Sequence, residues 1–310
     1  MRQLFYRFEN CDLASSICRF VLFVANCVIV ECTDQLNFAV NLKRFFVIIV
    51  ICPFWFALLL WNHFGFVLDD FLYRKWHLEV IHRPMFIVGN ARSGTTWFHR
   101  IITTNTFTNP TENIFVTFKT WEILFAVSVS WKVLFQYLFL IDHSLLGGTI
   151  YCAISLLEKF FLSDIKVHPI GLFLPEEDDW LMVHIGLSQL IMFFFPMGGN
   201  ILNDLVFFEQ DERVSEALRR TIFSYYRDAV KRQLYFISHC REGTSLKRRI
   251  VFVSKNPAFT MRTNTLFEFF PDCRIVCLWR DPAQSVSSMV SYISTVTRDS
   301  SIESLAHSGR

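Results

Sequence analysis

Apolar residues crowd the first 70 positions, and the rest of the chain follows a different rhythm. Phe45 to Trp61 is an apolar run with only Pro53 as a breaker, and Phe64 to Leu68 extends it past Asn62 and His63. A run of this length is enough to cross a bilayer as a helix. Lys43 and Arg44 precede it and Asp69 and Asp70 follow it. That asymmetry puts the N-terminal side in the cytosol and the remainder in a lumen or outside the cell. Ile17 to Val30 is a weaker run, interrupted by Arg19 and Asn26. It reads as a second span, an interfacial helix or a core helix; two spans would leave the orientation open between lumen and cytosol, and a buried helix packed on the domain is the competing reading for Phe45 to Leu68. A cleaved signal peptide is not expected, because Glu9 and Asp12 spoil a basic leader and the strongest run starts too late.

Beyond residue 84 short apolar runs alternate with helical spacing. Met85 to Val88 reads as a strand that ends at Gly89, and an amphipathic segment opens at Thr95. Residues 98–249 are mostly helical by pattern, with no internal repeat. Ile250 to Val253 is a second strand, and Lys255-Asn256-Pro257 makes a turn. Phe259 to Phe270 carries apolar residues at helical spacing until Pro271 and Asp272 break it. Arg274 to Trp279 is a further strand, and Asp281-Pro282 starts another helix. Strands alternating with helices predict βαβ units around a parallel sheet, an α/β fold.

The turn after the first strand carries the chemistry. A strand, a tight loop and a helix start aim backbone N–H groups and a helix dipole at one point, which suits a phosphate or sulfate. Gly89-x4-Gly94 matches the start of a nucleotide-triphosphate loop, but position 95 is Thr, not Lys. That lysine normally reaches the β- and γ-phosphates, so an ATPase or kinase is disfavoured. The cation sits on the loop itself, as Arg92. The segment Arg92-Ser93-Gly94-Thr95-Thr96-Trp97 resembles the 5′-phosphosulfate loop of the sulfotransferases, which use 3′-phosphoadenosine 5′-phosphosulfate (PAPS) as donor. Arg280 and Ser288 fit the family's RDP…S spacing, in which an arginine at a strand end and a serine eight residues later hold the 3′-phosphate. A bidentate guanidinium with a hydroxyl suits a dianion at the carboxyl edge of such a sheet. The resemblance also places Lys255 in the donor pocket, with an exposed surface lysine as the competing reading. Trp121 to Phe125 and the stretch His168 to Trp180 (HPIGLFLPEEDDW) look like further elements of one broad sulfotransferase group. The likeness runs from about residue 66 to residue 292.

The resemblance implies a P-loop-like sulfotransferase fold over residues 71–293, behind a hydrophobic, membrane-anchoring region at 1–70. A polar tail at 294–310 is expected to be disordered. The implied reaction moves a sulfuryl group from PAPS to a hydroxyl or amine, with no metal. Arg92 would stabilise the leaving phosphate. The general base is Glu122, His168 or Glu176, with Glu122 favoured because apolar neighbours would raise its pKa. An N-terminal helix turn accounts for the acidic run Glu176 to Asp179 without function. The acceptor stays open among carbohydrate, protein tyrosine, lipid and small alcohol.

Composition narrows the partners. The chain has 310 residues, 30 basic and 28 acidic side chains, and 52% hydrophobic residues including 35 Phe. Balanced charge gives no nucleic-acid signature, and the apolarity points to a membrane, such as Golgi or another endomembrane with a lumenal domain. The nine cysteines show no CxxC and no zinc spacing, and disulfides among Cys152, Cys240, Cys273 and Cys277 stay open. Two other classes compete. A nucleotide kinase or NTPase would need a magnesium-binding Asp, for which Asp281 is a poor candidate. A non-catalytic membrane protein of degenerate fold is favoured by the sequence stopping at Arg310, where related enzymes continue.

Overall fold

The computed structural model describes residues 12–29, 49–50, 52–104, 114–162, 171–188, 211–241 and 250–296. Two helices, α1 (Leu13–Ile29) and α2 (Cys52–Leu72), precede the first strand, β1 (Met85–Val88). There follow α3 (Thr95–Thr104), β2 (Ile114–Val116), α4 (Thr120–Phe125), α5 (Val129–Leu145), α6 (Thr149–Leu162) and the short α7 (Trp180–Val183). The C-terminal part holds α8 (Glu216–Tyr235), β3 (Ile250–Lys255), α9 (Thr263–Phe269), β4 (Arg274–Cys277) and α10 (Pro282–Val296).

The four strands form a parallel sheet in the order β2-β3-β1-β4. Met85 lies beside Val253 on one side and Arg274 on the other, and Ile114 lies beside Ile250. The central strands β1 and β3 are almost wholly buried, which explains their unbroken apolar runs. From β1 the chain crosses β3's position to reach β2, and later returns to the other side of β1 with β4. The strand order therefore reverses at β1, and ligands of open α/β sheets bind at the carboxyl ends beside such a reversal.

Helix α8 covers the sheet. The Ser215 side chain caps it by accepting from Leu218 N at 3.2 Å. Its buried face includes Leu218, Ile222, Phe223, Tyr226 and Val230. Phe223 and Tyr226 pack on Phe86, Phe259 and Phe270 of the sheet layer with ring centroids 5.1–6.4 Å apart. The expected helix from Phe259 to Phe270 divides into a 3-10 turn, Pro257–Arg262, and α9. The Asn256 side chain explains the tight start: it accepts from Ala258 N at 2.9 Å just before Pro257.

The expected membrane-spanning helix is not supported among the described residues. No single helix among the described residues is long and apolar enough to cross a bilayer. Helix α2 buries one side, Cys52, Trp55, Leu59, Asn62, Gly65 and Asp69, and its polar members have protein partners. Asn62 Nδ2 donates to Leu124 O at 3.1 Å. The fully buried Asp69 carboxylate accepts from Val129 N (2.9 Å), Ser130 N (2.8 Å) and Ser130 Oγ (2.7 Å). Arg232 Nε of α8 reaches the same carboxylate at 3.1 Å, and its guanidinium lies 3.7 Å over the Trp76 ring. The helix is thus built into the protein by polar groups that lipid does not satisfy. Helix α1 is a core helix by the same criterion: its buried Arg19 donates from Nε to Ile185 O at 2.7 Å, and Phe20 meets Trp55 edge-on at 5.0 Å. Phe45 to Ile48 and Ile51 lie outside the described residues, as do 297–310 of the expected tail; Ser294 to Val296 close α10. Cys152, Cys240, Cys273 and Cys277 are all free thiols.

Candidate functional site

The loop between β1 and α3 is shaped by left-handed backbone. Gly89 has φ +139°, and a Cβ there would meet Leu278 O at 2.4 Å, so only glycine lets β1 and β4 end so close together. Leu278 N donates to Val88 O at 2.9 Å and continues that pairing. Arg92 has φ 69°, uncommon for a residue with a Cβ, and Gly94 has φ +88°. The loop then enters α3 at the buried Thr95, whose first-turn N–H groups have no partner within the helix. Ser93 Oγ is buried without a hydrogen-bond partner among the described residues.

Two separated segments meet on this loop. Arg92 Nε donates to Ser288 Oγ of α10 at 3.1 Å. Arg280, just beyond β4, donates from Nη1 to the Arg92 carbonyl at 3.0 Å and from Nε to Gln284 Oε1 at 3.4 Å. Two guanidinium groups, two serine hydroxyls and a helix N-terminus therefore share the carboxyl edge between β1 and β4. Thr96 is half-buried beside them, and Trp97 and Trp279 stand out at 70% and 80% exposure.

The carboxylates sit behind α3. Lys255, at the end of β3 beside Ile87, is buried and ion-paired with Glu177. It is therefore not the exposed lysine of the competing reading. Glu176 is buried and lies 3.7 Å from Arg100 Nη2. His99, four residues along α3 from Thr95, is fully buried and shares a hydrogen bond with Thr117 Oγ1 at 2.8 Å. Burial pushes its pKa down to about 3; the nearby Lys255 charge adds to this and Glu176 opposes it.

Glu122 is buried at the third position of α4 and closes the helix start. Its Oε2 accepts from Lys119 N at 2.8 Å and from Gln233 Nε2 at 3.2 Å. Gln233 also donates to Thr117 O at 3.3 Å, so one chain of polar contacts links Glu122 to Thr117 and on to His99. His168 lies outside the described residues.

Asp178 and Asp179 do stand at the start of α7, but their buried side chains are tied to other elements rather than to the helix end. The Tyr226 hydroxyl donates to Asp178, and Ser188 Oγ donates to Asp179 Oδ2 at 2.5 Å. Burial raises Asp178 to about 7, and the Tyr226 and Ser254 hydroxyls work against the rise. Sequence reasoning missed His99, Gln233, Glu177 as the Lys255 partner, and Lys132, a fully buried ammonium that burial lowers to about 8. The i, i+4 spacing of Thr95 and His99 was a usable signal for the first of these.

Comparison with known proteins agrees with this architecture. A sulfotransferase family profile matches residues 200–309, a segment that contains Arg280 and Ser288. Sulfotransferase STF1 from Mycobacterium tuberculosis superposes with a TM-score of 0.56 at 14% identity over 91% of this chain and 64% of its own. Sulfotransferase STF9 from Mycobacterium avium gives 0.58 at 14% identity over 91% of this chain and 62% of its own. The chain thus spans less than two thirds of either solved protein. No curated protein matches it. The matched segment is thus similar to the sulfotransferase family, and the fold is similar to that of the two solved sulfotransferases.

Proposed function

We propose that the protein is a PAPS-dependent sulfotransferase acting on a hydroxyl or amine acceptor. The observation that carries this reading is the convergence of Arg92, Ser288 and Arg280 on one loop at the sheet reversal. The donor set fits PAPS: two guanidinium groups and a helix N-terminus match its two anionic ends, and Ser93 Oγ is a buried hydroxyl that needs a partner. PAPS would supply the activated sulfuryl group. Arg92, Ser93, Gly94, Thr95, Thr96 and Trp97 bind its 5′-phosphosulfate end, and Arg92 balances charge as the phosphate leaves. Arg280 and Ser288 hold the 3′-phosphate and position the nucleotide. Lys255, buried with Glu177, braces the floor of the pocket.

Glu122 takes the acceptor proton. Both of its hydrogen bonds fall on Oε2, so Oε1 is the atom assigned to receive it. Glu176 is the weaker candidate because its carboxylate already faces Arg100 at 3.7 Å. Glu122→Gln should abolish transfer from labelled PAPS while leaving donor affinity intact, and Glu176→Gln should leave measurable turnover; the reverse pattern reassigns the base. The donor itself is tested by thermal shift. Stabilisation by 3′-phosphoadenosine 5′-phosphate and not by ATP with magnesium is expected, and the opposite preference would select the kinase-like reading.

A further inference from the structure

The apolar surplus of this chain gathers in a second place, the hairpin of α5 and α6. Positions 133–157 contain one carboxylate, Asp142, and one histidine, His143, with no lysine or arginine. The two helices are bent by 109° at the break between Leu145 and Thr149. Gly147 and Gly148, at φ +61° and +80°, make the reversal.

The one carboxylate of this stretch turns inward. Asp142 is buried, and its carboxylate accepts from Ile150 N and Tyr151 N, both at 2.9 Å. Its backbone carbonyl accepts from Leu146 N and Gly148 N at 3.0 and 2.9 Å. Glu158 accepts from Leu172 N, and Lys132 is fully buried against Val127 O. Much of the backbone at the tip thus has protein partners, and of the flanking charges Lys132 and Glu158 are used inside the protein while Lys159 stays exposed.

What remains outside is mostly apolar, with His143, Ser144, Thr149 and Lys159 among the exposed exceptions. Leu138, Ile141, Leu145, Ile150, Leu156 and Leu157 are all exposed, Leu145 at 78%. Tyr137 and Tyr151 are exposed among them, residues suited to a membrane–water boundary. Trp131 joins this face to α2, stacking on Trp61 at 3.8 Å and lying 5.9 Å from Phe64. A soluble surface rarely leaves so continuous an apolar patch bare. A second protein would bring polar partners, yet the exposed Ser144 and Thr149 hydroxyls already bond to Leu140 O and Leu146 O, which leaves few polar groups, His143 among them, for that surface. Hydrocarbon asks for none.

We propose that the α5–α6 hairpin is a lipid-docking tip that dips into one leaflet of a bilayer without crossing it. The bend fits a helix pair lying in the interface rather than a span. This inference does not depend on the donor chemistry, and it places membrane contact on the catalytic body instead of the N-terminal run.

Two native thiols test it. Cys152 is exposed on α6 and Cys277 is exposed at the end of β4. The full chain is treated with a charged, membrane-impermeant maleimide, with and without phosphatidylcholine vesicles, and each peptide is quantified by mass spectrometry. Vesicles should slow Cys152 labelling at least about tenfold and leave Cys277 unchanged. Equal protection of both, or of neither, overturns the proposal. A triple variant, Leu145→Ser with Leu146→Ser and Ile150→Ser, touches only exposed side chains and should unfold at an unchanged temperature. It should float with vesicles at least about tenfold less than the parent. Undiminished flotation, or loss of a dimer with flotation unchanged, would assign the patch to another segment's neighbour or to a second copy and overturn it.

Discussion

Two helix N-termini in this protein each meet a guanidinium and a serine hydroxyl, but with opposite outcomes. At the start of α5, Val129 N, Ser130 N, Ser130 Oγ and Arg232 Nε converge on Asp69. At the start of α3, Arg92, Ser288 and Arg280 converge on a loop that leads into the helix, and Ser93 Oγ keeps an open valence among the described residues. The first place supplies its own anion and is shut. The second brings similar donors together around no carboxylate of its own in those contacts, and Arg280 stays exposed. The same physical chemistry thus builds a structural lock in one region and, on the present reading, a receptor for a ligand's charge in the other.

The comparison breaks first at the lock. Asp69→Ala leaves the Arg232 guanidinium buried without its partner, and urea unfolding should show a loss of about 3–5 kcal/mol. The folded fraction should bind 3′-phosphoadenosine 5′-phosphate as before. A loss below about 1 kcal/mol would mean that the pair contributes no more than an exposed one.

At the loop the effect should appear in turnover rather than stability. Arg92→Ala should lower kcat about 10²-fold, the scale for one lost group that stabilises developing charge. Its unfolding midpoint should hardly move. Arg280→Ala should leave kcat nearly constant and weaken nucleotide binding roughly 10–100-fold, the range for a charged hydrogen bond. Calorimetry and steady-state kinetics on the two variants separate these roles.

A smaller effect concerns pH. His99 and His184 are buried with pKa values lowered to about 3 and about 4, chiefly by burial, from an ordinary 6.5. Between those values and 6.5 the unfolded chain binds more protons at these sites, so their contribution to stability is lost as pH falls through that window. Asp178, raised from 3.8 to about 7, acts oppositely: the folded form holds its proton, and that stability is lost as pH rises. The two histidines against Asp178 alone would make stability rise by about 1.4 kcal/mol per pH unit between pH 4 and 6.5, and Asp179 and Glu79, also raised by burial, reduce that rise. Asp178→Asn should steepen the rise, as read by urea unfolding at several pH values.

How far the sequence could be read depended on whether local pattern and tertiary use agreed. β1 was legible to the residue because Met85 to Val88 is a buried central strand closed by a glycine that its neighbour requires. Arg280 and Ser288 were legible because a strand end and a two-turn helical spacing fix where they fall. β2 was not, since Ile114–Val116 is three residues long and gives no period to detect. The run ending at Leu68 misled for a different reason. Apolar content measures what a helix can bury, whereas Asn62 and Asp69 are committed to protein partners that only the fold reveals. The acidic run was legible in part: Asp178 and Asp179 stand at a helix start, but only the fold shows their side chains committed to Tyr226 and Ser188.

The account rests on one grip with two ends, and nucleotide selectivity measures it directly. Calorimetric affinities for 3′-phosphoadenosine 5′-phosphate and for adenosine 5′-phosphate should differ at least about tenfold in the parent protein, because only the first engages Arg280 and Ser288. Arg280→Ala should reduce that preference to near unity, while Arg92→Ala should weaken both nucleotides and keep the preference. An Arg280→Ala protein that still discriminates between the two nucleotides as the parent does would contradict it.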